Sequence, residues 1–151
     1  MKALILDFDG VIVDSTKLIH NLHNKHTKIN LSEEEFKARH DGNPFENKIP
    51  LFTEETLSNF YDEYPHLICK EKLLIEKEVI IKLSEKYSLF IVSSSTEKGI
   101  LKFLEYHNLT TSFKEIMGVE TNRSKVEKIK TILEKYKLNK DEVIFITDTL
   151  G

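Results

Sequence analysis

The stretch Ala3-Leu4-Ile5-Leu6-Asp7-Phe8-Asp9-Gly10-Val11-Ile12-Val13-Asp14-Ser15 decides how this chain is read. Its first four residues are wholly apolar, as in a central strand of a parallel sheet covered on both faces. The run ends in an acidic turn with a glycine, residues 7–14. With only Met1 and Lys2 before it, the apolar segment is too short for the hydrophobic region of a secretory signal. It therefore reads as a buried strand.

Beyond this stretch the pattern changes twice. From about Ser15 to Leu74 it is polar and helical. Ser32-Glu33-Glu34-Glu35 has the form of a capping box, opening a helix that turns Phe36 inward and stops near Gly42-Asn43-Pro44. Thr53, before Glu54 and Glu55, starts another. Its apolar positions Leu57, Phe60, Tyr61 and Tyr64 keep helical spacing, and Pro65 is expected to end it. After about Ile75, three helical patterns (Val79, Ile80, Leu83; Ile100, Leu101, Leu104; Val126, Ile129, Leu133, Tyr136) alternate with strands over 89–92, 115–118 and 143–147. Such alternation implies βαβ units and a parallel sheet. The expected architecture is an α/β, Rossmann-like core from residues 1–14 and 75–151, with residues 15–74 inserted after the first strand as an α-helical cap.

Bulk properties narrow the function classes. A length of 151 residues suits one domain, or a compact core with a small insert. Hydrophobic residues at 40% and charged residues at 31% indicate a soluble globular protein. The net charge of −3 leaves no basic footprint for nucleic acid. Apolar runs of a few residues give no membrane span. The single cysteine, Cys69, excludes an intrachain disulfide and suits a reducing, cytoplasmic setting. Oligomeric state is left open.

In an open α/β sheet, ligands sit beyond the carboxyl ends of the strands. Asp7 and Asp9 follow the first strand and Ser93, Ser94 and Ser95 the second. Lys125 opens the helix after the third, and Asp148 follows the fourth. Carboxylates, a hydroxyl and an ammonium gathered at one edge suit a hard cation such as Mg²⁺ together with a phosphate. Ser124-Lys125-Val126-Glu127 reads as a capping box with Lys125 at the first helical position. A cation there opposes the helix dipole by a few tenths of a kcal/mol, which a bound anion would reverse.

The segment from Asp7 to Ser15 resembles the first motif of the haloacid dehalogenase superfamily, and more narrowly its phosphoglycolate-phosphatase-like and β-phosphoglucomutase-like branch. Ile91-Val92-Ser93 is similar to the second motif, Lys125 to the third and Ile146-Thr147-Asp148 to the start of the fourth; Gly42-Asn43-Pro44-Phe45-Glu46 is similar to a turn in the branch's cap. The resemblance implies a Mg²⁺-dependent phosphatase acting on a small phosphorylated metabolite. Asp7 would be the nucleophile and Asp9 the general acid and base. Ser93, the Ser94 backbone N–H and Lys125 would hold the phosphoryl group. Asp7, the Asp9 carbonyl and Asp148 would hold the metal. Asp9 argues against the dehalogenase branch, which protonates no leaving group. A phosphosugar mutase of the same fold, and a binding module without turnover, are the competing readings. The pattern further implies a second acid four residues after Asp148, a fifth strand and a final helix. The chain is accordingly expected to be a truncated form with weaker metal support, its last strand at an open edge.

Other features read as structural. Asp14-Ser15 is expected to be a plain helix N-cap, and the serine run to cap the following helix as well as to bind phosphate. His20, His23 and His26 drift around a helix and read as a solvated face. Arg39, His40, Asn43 and Lys48 fall in the cap, where substrate selection is expected, and fit ordinary surface equally well.

Overall fold

A computed structural model describes residues 1–40 and 52–149. β1 is Ala3–Leu6, the strand read from sequence. The helices α1 (Thr16–Thr27), α2 (Glu33–His40) and α3 (Glu54–Leu67) follow. Then come α4 (Lys77–Lys86), β2 (Ser88–Val92), α5 (Glu97–Tyr106), β3 (Glu115–Met117), α6 (Lys125–Lys135) and β4 (Val143–Ile146). The four described strands form one parallel sheet in the order β3-β2-β1-β4, an α/β arrangement as expected. Leu6 lies level with both Ile91 and Ile146. The segments leaving β1, β2 and β4 therefore emerge side by side, which brings residues 7, 93 and 147 to one edge.

Alternation along the strands splits the core between the two faces of the sheet. Leu4, Leu6, Leu89 and Ile91 pack with Leu22, Tyr64, Ile80, Ile100 and Phe103. Ala3, Ile5, Phe90 and Val92 pack with Ile132, beside Ile129 and Tyr136. Each fully buried Leu, Ile or Phe contributes on the order of 1.5–3 kcal/mol. Leu22, Phe60, Tyr64 and Ile68, on the helices between β1 and α4, belong to the same apolar cluster as β1 and β2. A smaller cluster, Leu31 and Phe36 flanked by Ile19 and Phe52, lies among these helices. The two ends of this helical segment are adjacent: the Asp14 N–H donates to Lys72 O at 2.8 Å and the Leu74 N–H to Ile12 O at 2.9 Å.

The Ser32–Glu35 capping box forms, with the Ser32 N–H donating to Glu35 Oε2 at 2.8 Å and the Glu35 N–H to Ser32 Oγ at 3.2 Å. The expected stop at residues 42–44 lies outside the described residues. Thr53 caps α3, as read, through a reciprocal bond with Thr56. Pro65 does not end that helix, which runs on to Leu67. A proline in the last turn removes one N–H, and the burial of Tyr64 and Ile68 outweighs that loss. The Ser124 box forms by half. The Glu127 N–H donates to Ser124 Oγ, but the Ser124 N–H is taken by Asn122 and the Glu127 carboxylate by Lys130. On α6 the buried face is Lys128 and Ile132, whereas Val126, read as inward, is 60% exposed. Val79 and Leu101 are likewise exposed. β4 lies at a sheet edge, with Ile144 and Ile146 exposed on one face.

Candidate active site

The carboxyl edge of the sheet floors a cavity of about 860 Å³. Asp7, Asp9, Ser93, Ser94, Ser95, Lys125 and Asp148 all line it, so every residue read from the strand ends reaches one space. From the helical segment between β1 and α4, Ile19, Phe36, His40, Leu57, Phe60 and Tyr61 line the same cavity, as does Phe52.

Asp7 is almost wholly buried. Its Oδ1 accepts the Phe8 N–H at 2.8 Å. Its Oδ2 accepts Lys125 Nζ at 2.5 Å and Thr147 Oγ1 at 3.1 Å. The Asp7 N–H donates to Ile146 O at 2.8 Å, locking the turn after β1 onto β4. Ser124 places Lys125 at the helix start, and Asp7 supplies the negative charge that offsets the unfavourable position of a cation there.

Asp9 sits among hydroxyls. Oδ1 accepts from Ser15 at 2.7 Å and from Tyr64 at 2.8 Å, and Oδ2 accepts from Ser95. Burial pushes the Asp9 carboxyl above its ordinary range, with a smaller push from the charge of Asp7, against the three hydroxyl donors. Asp148 is also raised, first by burial and then by Asp7. Gly10 adopts a left-handed backbone, φ 75°, and a Cβ built on it would overlap the Asp148 carboxylate. A glycine is therefore what lets Asp148 lie against this turn.

Ser93 is buried, and its Oγ accepts the Ser95 N–H at 3.0 Å. The backbone oxygen of Ser94 accepts from Tyr61 Oη at 3.2 Å. α3 thus touches both loops of the site, through Tyr61 and Tyr64. It lies close because Gly99 of α5 has no side chain: a Cβ there would stand 2.6 Å from the Tyr64 ring.

The structure departs from the sequence expectations at several residues around the site. Ser15 occupies the N-cap position of α1 without a side-chain capping bond and gives its hydroxyl to Asp9 instead. Thr96, rather than a serine of the run, caps α5. His23 is buried, against Phe36 and Phe52. Among the described residues no three His, Cys, Asp or Glu side chains form a ready metal cluster. His40 packs against the Phe36 ring at a tilt of 35°, and burial lowers its pKa to about 4. Asn43 and Lys48 lie outside the described residues. Ser15, Tyr64 and Thr147 are site residues that the sequence alone does not single out. Ser15 and Thr147 carry a signal, being hydroxyls within strand-end motifs; Tyr64 carries none beyond its helical spacing.

Residues 4–150 match the sequence model of the haloacid dehalogenase-like hydrolases. The chain belongs to that family. It is similar in structure to a haloacid dehalogenase-like family hydrolase from Streptococcus pneumoniae, with 19% identity and a TM-score of 0.72, over 99% of this chain and 77% of that one. CbbY from Rhodobacter sphaeroides, in complex with phosphate, aligns at 11% identity and a TM-score of 0.78, over 99% and 79%. A protein from Haemophilus somnus described as a predicted phosphoglycolate phosphatase aligns at 16% identity and 0.71, over 96% and 76%. At such identities the likeness is one of fold. No curated protein matches the sequence. Among the described residues no helix is long and apolar enough to cross a membrane.

Proposed function

We propose that this family member is a phosphatase that hydrolyses a small phosphorylated metabolite through an aspartyl phosphate on Asp7. The observation that carries the reading is the Lys125 ammonium, 2.5 Å from Asp7 Oδ2, with Asp9, two residues after Asp7, buried so that its carboxyl is raised above its ordinary range. Asp7 oxygen attacks phosphorus and the bond to the leaving oxygen breaks, while Asp9 gives that oxygen its proton. Asp9, now ionised, takes a proton from water, and the water oxygen displaces Asp7 from phosphorus. Lys125 balances negative charge on Asp7 and on the phosphoryl group throughout. The hydroxyl and backbone of residues 93 and 94 orient the phosphoryl oxygens. Residues 15–74 act as the cap over the core of residues 1–14 and 75–151, in a cytoplasmic setting.

Mg²⁺ fits the donor set. Burial first, and then the charge of Asp7, raise the Asp148 carboxyl, and a hard cation with oxygen ligands relieves the repulsion between the two acids. Asp7, Asp148 and the Asp9 carbonyl would hold it. When bound it would withdraw charge from the phosphoryl oxygens. The test is phosphate release from a panel of phosphate monoesters with Mg²⁺, by wild type and by Asp7→Asn. Turnover by wild type, and its fall to background in a folded variant, is expected. Comparable rates for the two would sink the nucleophile assignment, and isomerisation of a phosphosugar without phosphate release would favour the mutase.

A further inference from the structure

Among the described lysines, Lys128 alone is completely buried. It stands one turn after Lys125 on α6, with its ammonium between the ends of β2 and β3. There it donates to the backbone oxygen of Ser93 and, at 3.0 Å, to that of Gly118. The serine loop has two other ties to the β3 side: the Ser93 N–H to Met117 O at 3.0 Å, and the Val119 N–H to Ser95 O at 2.9 Å. Lys128 supplies the only formal charge among these ties.

A buried ammonium bonded to neutral carbonyls is a poor choice for packing alone, since an apolar side chain would avoid the desolvation cost. The surrounding charges are Lys125, which opposes it, and Asp7, Glu97 and Glu120, which favour it. None of these acids bonds to it among the contacts described. Its position under a loop that faces an anion site explains the expense. Resting on the phosphatase reading, we propose that Lys128 is a positioning residue of the phosphoryl site: it clamps the Ser93 loop in its anion-binding shape and places a second, water-shielded positive charge behind Lys125. Burial, followed by Lys125, lowers the Lys128 pKa to about 8, so this charge is lost in mildly alkaline solution.

Sulfate tests this, because it stays dianionic across the range. In wild type its affinity, read by calorimetry and as competitive inhibition, should fall about tenfold between pH 7 and 9.5. Lys128→Gln keeps a donor without the charge, and Lys128→Met keeps neither. Both should weaken sulfate about tenfold at pH 7, raise KM more than they lower kcat, and flatten the pH dependence. Folded variants with sulfate affinity, KM and pH profile within twofold of wild type would overturn the proposal. If neither variant folds, the wild-type titration decides: a flat sulfate affinity from pH 7 to 9.5 overturns it and a fall supports it. Absence of turnover on every ester would count against the phosphatase reading instead, and calorimetry would still judge Lys128.

Discussion

Replacing Gly10 by alanine separates the role of Asp148 from the stability of the fold. At φ 75° an L-residue is strained by about 1–2 kcal/mol. Alanine also stiffens the unfolded chain, which returns about 0.4–1 kcal/mol. The net cost is about 0–1.5 kcal/mol, or a fall in Tm of at most about 6 °C for a chain of this size. The new methyl overlaps the Asp148 carboxylate, the far end of a short side chain at the cavity wall, which swings away at little cost to the fold. The loss should therefore appear in the metal. Mg²⁺ titration of phosphatase activity should show a midpoint raised at least about tenfold, comparable to the loss on removing support from a metal ligand. Asp148→Asn should give the same phenotype, and the double variant little more, since both changes act on one carboxylate. A Gly10→Ala protein with kcat and Mg²⁺ midpoint within about twofold of wild type would show that the Asp148 position is immaterial to catalysis.

Asp9→Asn should slow turnover by about 10²–10⁴-fold. Because burial raises the Asp9 carboxyl above its unfolded value of 3.8, wild type loses stability as pH rises from there through the folded pKa. In metal-free thermal melts the variant should lack that pH-dependent decline; the same decline in both proteins would contradict the raised carboxyl. Gly99→Ala should push the Tyr64 ring aside and loosen its bond to Asp9, lowering kcat several-fold, with Tyr64→Phe giving a similar loss. An unchanged kcat in both would free Tyr64 of any role at Asp9. Chelation of divalent ions should abolish turnover, with Mg²⁺ restoring it and Ca²⁺ restoring less; full activity in excess chelator would remove the metal from the scheme.

Much of this was legible in the residues. The apolar run before Asp7 fixed a central strand, since a stretch without alternation needs cover on both faces. The strand-end rule then named Asp7, Asp9, residues 93–95, Lys125 and Asp148 together. What escaped was tertiary in origin. Val126, expected inward, is exposed and Lys128 is buried because α6 turns that lysine toward two backbone carbonyls, a partner that periodicity cannot display. Pro65 sits inside α3 because packing of its neighbours outweighs one missing N–H. Ser15 looked like a cap because its hydroxyl stands at a helix start; only the fold reveals that Asp9 lies within its reach.

The bond from Thr147 to Asp7 joins residues 140 positions apart, and Thr147 and Asp148 follow β4, which among the described strands pairs with β1 alone. Fraying of that border strand, an opening far smaller than global unfolding, would scatter the constellation while the helices and the other strands persist. Under mild denaturant, catalysis should vanish before the far-ultraviolet signal moves.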